Sequence, residues 1–276
     1  MSLLSPDQVG VVLYPDRLLL ARVGGRFRRH LKHKQIIPVG PAPAGTPLWQ
    51  PVVDALASQV TAGALVGAGV TLVLSNRLVH YTLVPHTKAL GAGEEELAFV
   101  RHCFSRIHGG QVDGWAIRLD PSGTRNTRIA CGVEVALVQA LTKVMAPIGR
   151  HYRSLRPHFM ASFNRWRAQL LGRQAWFVVA EPGLLSIALL CEGQWHSVRT
   201  VKVGPDWEPE LAGVLSREEC LVGSHTQCDE VLLFAPDTVQ PITLDAGKWR
   251  INRLLPTVLP GMAPGVDSPY SVAIGA

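Results

Sequence analysis

Two acidic residues, Asp16 and Glu181, stand at the turns of two similar strand-turn-strand segments. The first reads Gly10-Val-Val-Leu-Tyr-Pro-Asp-Arg-Leu-Leu-Leu-Ala-Arg-Val23, and the second Ala175-Trp-Phe-Val-Val-Ala-Glu-Pro-Gly-Leu-Leu-Ser-Ile-Ala-Leu-Leu-Cys191. Each joins two apolar, β-rich runs through an acidic residue and a proline. A turn that grips phosphate needs glycines, because only they let backbone N–H groups approach closely enough. Tyr14-Pro15-Asp16-Arg17 fills the first turn, and Glu181-Pro182-Gly183 leaves one glycine in the second. Pro15 removes an N–H donor and Tyr14 adds bulk. Each segment leads into a third predicted strand, at 34–39 and 195–202, and then into a helix. A chain that opens the same way twice suggests two related lobes. The layout is that of a two-lobed nucleotide-binding architecture without its nucleotide chemistry.

The densest basic run is Arg22-Val-Gly-Gly-Arg-Phe-Arg-Arg-His-Leu-Lys-His-Lys34. Arg26, Arg28, Arg29, Lys32 and Lys34 are its candidates for contact with an anionic surface, either acidic lipid head groups or nucleic-acid phosphates. The alternative is a solvated hairpin tip. Phe27 is the single aromatic in the run, a poor stacking platform, so nucleic acid is not the expected partner. A second basic stretch, Arg150-His-Tyr-Arg-Ser-Leu-Arg-Pro157, precedes a stripe of Phe159, Phe163, Trp166 and Leu170. The stripe reads as core or inter-lobe packing, with the arginines along the cleft edge. Cys220, His225 and Cys228 lack a fourth ligand at usable spacing, so no metal site is expected. Ser75, Ser105, Ser154 and Ser186 lie outside any Gly-x-Ser-x-Gly context, and no paired carboxylates stand out.

With 276 residues, 47% hydrophobic and 17% charged, the chain is globular and long enough for two domains. No apolar run reaches the roughly 18 residues of a membrane span. The run at 175–191 is broken by Glu181 and Pro182 and reads as a buried hairpin. The first residues, Met-Ser-Leu-Leu-Ser-Pro-Asp, have no basic region or cleavage site and do not read as a signal peptide. Five cysteines, an odd number without a Cys-x-x-Cys spacing, fit reduced thiols in a cytoplasmic setting. The net charge of +6 favours an anionic partner, or simply marks a moderately basic protein.

Periodicity places strands at 9–14, 17–23 and 34–39, then a helix with Val52, Val53, Leu56 and Val60 on one face, capped by Thr46. The near-continuous apolar run 70–75 reads as a strand buried on both sides, with 78–84 as its neighbour. Residues 93–107 form the clearest helix. Glu94, Glu95 and Glu96 occupy its first turn, and Leu97, Val100, Phe104 and Ile107 form its apolar stripe. A hairpin at 114–119 and 128–133, a helix at 135–145 and the 159–170 helix complete a first lobe of residues 1–172. Within it, about 76–133 reads as an inserted subdomain. The second lobe, 173–276, repeats three strands, a helix around Leu211, Val214 and Leu215, and a strand at 231–234. Residues 271–276 read as a last strand. The class is α/β with mixed sheets.

Strand-strand-strand-helix-strand, used twice, is the order of actin-like (RNase H-like) folds. The middle stretch Val70-Thr-Leu-Val-Leu-Ser-Asn-Arg-Leu-Val-His-Tyr-Thr-Leu-Val-Pro85 continues through Glu94-Glu-Glu-Leu-Ala-Phe-Val-Arg-His-Cys-Phe104 and Trp115-Ala-Ile-Arg-Leu119. It resembles the actin-like platform proteins of bacterial surface machines. These are the type IV pilus assembly protein PilM and the cytoplasmic half of the type II secretion protein GspL, with its mannose-sensitive pilus relative MshI. The resemblance implies a two-lobed actin-like fold with degenerate nucleotide motifs. It implies a non-catalytic scaffold at the cytoplasmic face of the inner membrane that binds a peptide of a membrane-anchored platform protein. The assembly ATPase and an acidic membrane surface are further partners it suggests. No cofactor is expected. The alternatives are an actin-like ATPase, with Asp16, Glu181 and Gly183 around bound Mg-ATP, and a basic nucleic-acid-binding module. True actin-like ATPases place a Gly-Gly turn against adenosine; here the strand 231–234 leads into Ala235-Pro236-Asp237 instead. Finally, Ile251-Asn-Arg-Leu-Leu-Pro256 resembles the Asn-Leu-Leu-Pro peptide that the pilus platform's membrane partner inserts into the cleft. Inside this chain it reads as chance, a fused remnant or a self-docking segment.

Overall fold

The computed structural model describes residues 7–25, 28–87, 93–121, 127–223, 228–238 and 247–275. The repeat legible in the sequence becomes two five-stranded sheets of matching order. In the first, β1 (Asp7–Tyr14), β2 (Arg17–Gly24) and β3 (His30–Pro38) form an antiparallel meander, and β4 (Ala68–Leu74) lies parallel to β1. The fifth strand, β8 (Tyr152–Pro157), is parallel to β4. In the second sheet, β9 (Ala175–Glu181), β10 (Leu184–Cys191) and β11 (Gln194–Lys202) form the meander. There β12 (Glu230–Phe234) is parallel to β9 and β13 (Arg250–Arg253) to β12. We call the halves built on these sheets the first and second lobes. A third sheet, in the order β5-β7-β6, comprises β5 (His80–Val84), β6 (Trp115–Leu119) and β7 (Arg128–Glu134).

The central strands are apolar without alternation because both faces are covered. Every residue of β9 is buried, as are Val9–Tyr14 of β1. Helices α1 (Gln50–Thr61) and α3 (Val135–Met145) pack on each other against the first sheet, joined by a 2.7 Å bond from Trp49 Nε1 to Glu134. Helix α2 (Glu94–His108) covers the three-stranded sheet, and α5 (Glu208–Val222) the second sheet. Helix α4 (His158–Leu170) sits between the lobes. Its Phe159 and Phe163 meet Phe177 of β9 and Trp195 of β11, with ring centroids 4.5–6.2 Å apart. One apolar core therefore runs through both lobes, as the aromatic stripe suggested.

Four expectations are corrected. Residues 271–276 do not form a strand: Pro269 opens a 3-10 turn, and α6 (Ser271–Ile274) packs back on β1, β2 and β4. Helix α1 starts at Gln50 with Trp49 as its cap, while the Thr46 hydroxyl bonds Pro43 O at 2.7 Å within the preceding turn. The strand beside β4 is β8, not 78–84, because a 3-10 turn at Asn76–Leu78 carries the chain out into the third sheet. The polar alternation of 150–157 is that of an edge strand. In α2 only Val100 and Phe104 are buried, whereas Leu97 is 42% and Ile107 64% exposed. The segment resembling a partner peptide is the edge strand of the second sheet: β13 pairs with β12, and Leu254 N–H continues the ladder to Leu233 O at 2.8 Å.

Candidate functional site

The gap between the lobes is crossed by a buried polar network. Ser75 and Asn76 follow the last residue of β4, His158 opens α4, and Glu181 ends β9. The Ser75 hydroxyl donates to Glu181 Oε2. Asn76 N–H donates to Glu181 Oε1 at 2.9 Å, and His158 Nδ1 meets the same oxygen at 2.6 Å. Asn76 Oδ1 accepts from Tyr81 Oη at 2.7 Å and from Phe159 N–H at 2.9 Å. All four hub residues are 2% exposed or less. Burial works to raise the Glu181 pKa, but the adjoining His158 imidazole, the Asn76 N–H and the Ser75 hydroxyl outweigh it and hold the carboxyl below its ordinary range.

Serine, histidine and glutamate here do not form a nucleophilic device. The hydroxyl gives its hydrogen bond to the carboxylate rather than to the imidazole, and none of the three reaches solvent. The network is a fastening between β4 and β9.

A second fastening lies at the first hairpin turn. Arg17 reaches Asp237, beyond β12, at 2.9 Å, and its guanidinium lies 4.1 Å from the centre of the Tyr14 ring. Burial pushes Asp237 up, against the pull of Arg17, and pushes the Tyr14 phenol well up. Among the described residues, Tyr14 Oη, Asp237 Oδ2 and His158 Nε2 are buried without a hydrogen-bond partner.

The candidate nucleotide residues are thus held apart. The Asp16 side chain is 64% exposed and pairs at 3.2 Å with its own neighbour Arg17. Glu181 is buried and bonded throughout. Gly183 has φ +74°, which its turn requires, and a Cβ there would lie 2.7 Å from the Arg77 guanidinium. Arg77, from the first lobe, covers the second lobe's turn. Of the basic run, Arg26 lies outside the described residues. Arg28 is exposed. Arg29 bonds Gln8 at 3.2 Å. Lys32 pairs with Asp7 at 2.8 Å, and Lys34 with Asp267 at 2.6 Å. Of the four described cations, three have partners within the chain, two of them carboxylates. His225 lies outside the described residues, and among those described no three His, Cys, Asp or Glu side chains are placed to hold a metal ion.

Ser75, Asn76, His158 and Tyr81 were not among the sequence candidates. The Ser-Asn pair closing an apolar strand and the histidine following Pro157 were visible, but their meeting with Glu181 is a product of topology. A surface groove of about 1350 Å³ lies where β5 and β11, the edge strands of their sheets, approach each other. Leu48, Ile107 and Leu221, each more than half exposed, line it.

No family model matches this chain, and no curated protein matches it. Solved structures do. The PilM–PilN type IV pilus biogenesis complex matches with a TM-score of 0.67 at 14% identity, over 97% of this chain and 96% of that one. The cytoplasmic domain of EpsL, an inner membrane component of the type II secretion system of Vibrio cholerae, matches with a TM-score of 0.60 at 12% identity, over 98% and 95%. A Bacteroides thetaiotaomicron protein with an actin-like ATPase fold and unknown function matches with 0.54 at 10%, over 83% and 81%. The chain has the actin-like fold.

Proposed function

We propose that this protein is a non-catalytic actin-like scaffold at the cytoplasmic face of a bacterial inner membrane. It would have a first lobe of 1–172, with a subdomain inserted at about 76–133, and a second of 173–276. It helps assemble a type IV pilus or type II secretion-like platform by holding a peptide of a membrane-anchored partner. The observation that carries this reading is the closure of the inter-lobe gap by the chain's own side chains: Glu181 on Ser75 and Asn76, and Arg17 on Asp237. Where an actin-like ATPase needs open, glycine-lined turns, these turns are covered.

Two similar structures, a pilus biogenesis complex and a secretion-system component, support the choice of machine. Among the described residues no helix is long and apolar enough to cross a membrane. The groove along β5 and β11 has an apolar lining, which suits a peptide with apolar side chains.

The test is fluorescence anisotropy with a labelled peptide containing Asn-Leu-Leu-Pro, and with the cytoplasmic segment of a pilus or secretion platform protein. Saturable binding is expected, weakened by Thr200→Trp, which fills the groove from the exposed side of β11. If neither ligand binds, the scaffold reading loses its support.

A further inference from the structure

At the opposite end of β1 from Asp16 lies a separate cavity of about 330 Å³. Four strand steps, from Thr71 to Ser75, separate its floor from the inter-lobe network by roughly 13 Å. Its floor is one face of the first sheet, where small residues stand in register: Gly10 opposite Ala21 and Thr71, and Gly69 beside Gln8. Over Gly10 the α6 backbone at Ala273 takes up the space, and the hollow opens beside it over Gly69 and Thr71, whose side chains are short. Helix α6 closes one side with Ala273 and Ile274.

Guanidinium groups supply the rim. Arg29 comes from the β2–β3 hairpin, and Arg153 and Arg156 from β8. Arg153 lies against the floor: a Cβ on Gly69 would sit 3.2 Å from its Nε. Arg165 of α4 holds the adjoining corner, donating to Ser271 O at 2.6 Å. Asp7 is the carboxylate at the cavity, and it is already engaged by Lys32 at 2.8 Å and Arg22 at 3.3 Å. Neither Arg153 nor Arg156 has an ion pair among the described residues. Arg29 bonds only neutral oxygens, of Gln8 and Ile274. Like charges converging on a hollow repel unless an anion sits between them. Guanidinium forks match the oxygens of phosphate in pairs.

We propose that this cavity binds a phosphate group, held by Arg29, Arg153 and Arg156 over the Gly10–Gly69 floor. The phosphate is either that of a small soluble phosphomonoester or that of an anionic lipid head group. The site is independent of the scaffold reading.

The experiment is thermal unfolding of the full chain against inorganic phosphate and glycerol 3-phosphate, at ionic strength matched with chloride. A saturable upward shift is expected, since a ligand bound only by the folded state stabilises it. R153Q/R156Q should weaken the apparent affinity by at least about tenfold, because two charge-assisted donors are removed. R217Q, on the exposed face of α5, should leave it unchanged. If the double variant does not fold, the single variants R153Q and R156Q should each weaken binding about threefold. Co-flotation with phosphatidylglycerol vesicles, compared with phosphatidylcholine alone, identifies the source. Flotation lost in the arginine variants assigns a head group, and a thermal shift without flotation assigns a soluble phosphate. No shift beyond chloride, or a shift indifferent to Arg153 and Arg156, overturns the proposal.

Discussion

Arg17 and Asp237, 220 residues apart in the chain, meet at 2.9 Å across the inter-lobe gap. Each belongs to a segment that would face nucleotide in an actin-like ATPase: the first hairpin turn and the stretch after β12. They face each other instead. The second hairpin turn behaves alike, with Glu181 drawn into Ser75 and Asn76 and Gly183 covered by Arg77. The lobes are fastened by protein groups at both places.

Millimolar ATP with magnesium is therefore expected to leave the unfolding midpoint unchanged. Asp16 is exposed but has lost its neighbouring N–H donor to Pro15, and Glu181 has no open oxygen to offer a hydrated magnesium ion. Differential scanning fluorimetry checks this. A saturable rise that disappears in Asp16→Ala would return the protein to the ATPases.

Glu181 is expected to be among the most sensitive positions in the chain. Glu181→Ala strands the Ser75 hydroxyl, the Asn76 N–H and the His158 imidazole in a site shut off from water. Losing one member of such a buried ionic cluster costs about 3–5 kcal/mol. Glu181→Gln keeps the shape and one acceptor oxygen, so its cost should be smaller, about 1–3 kcal/mol. Urea unfolding of both variants measures the difference. Equal effects would mean that packing, not the carboxylate, holds the site.

The acid limb of stability follows from the same groups. Three carboxyls are held below their ordinary values. Lys32 lowers Asp7, against burial and helped by Arg22. Burial opposes the shift at Asp267, which Lys34 overcomes, and at Glu181, which His158 overcomes. When the folded pKa is depressed, the unfolded chain takes up protons first as pH falls. The stabilisation is whole above the unfolded values, near 4, and is lost as pH drops through the folded ones. Asp237 and Glu218, both raised by burial, work the other way, and their cost is relieved by protonation. Three groups against two leave a net loss. The unfolding midpoint should fall steeply between about pH 5 and pH 2, and Glu181→Gln should make that fall shallower. A midpoint flat across this range would remove the assigned role of these pairs.

The two lobes were legible because their signals are local. An apolar run broken by an acidic residue and a proline occurs twice, and each became the β-hairpin that begins a sheet. The aromatic stripe of α4 was legible because a 3.6-residue period survives wherever a helix is buried on one side. What was hidden depends on distant pairing. Nothing in Tyr152–Pro157 marks it as a strand until β4 lies alongside. His158 is a lone histidine until α4 brings it to Glu181, 23 residues on. The exposed Leu97 and Ile107 misled because their spacing is that of a buried stripe, while the three-stranded sheet beneath α2 is too narrow to cover both. Residues 271–276 misled because their apolar character suits either a strand or a short helix. Gly10 decided between them by letting helical backbone approach the sheet.

That approach sets the last expectation. A Cβ on Gly10 would lie 1.9 Å from Ala273 O and 2.5 Å from Ala273 C, both backbone atoms that cannot rotate away. Gly10→Ala must therefore push α6 off β1 or bend β1 itself. Strand β1 is the centre of the first sheet and pairs on both sides, so the helix is the part that yields. Undocking α6 uncovers Val272 and Ile274, each 8% exposed or less. It also loosens the Lys34–Asp267 pair that anchors the segment before it. Burying two aliphatic side chains is worth about 1.5–3 kcal/mol each, so a loss of roughly 2–4 kcal/mol is expected after partial relaxation. The sheet should persist while the C-terminal segment opens. Limited proteolysis should then cleave Gly10→Ala beyond Leu254 at protease concentrations that leave the parent chain whole. If the variant resists cleavage and keeps its stability, α6 is not seated on β1 through Gly10.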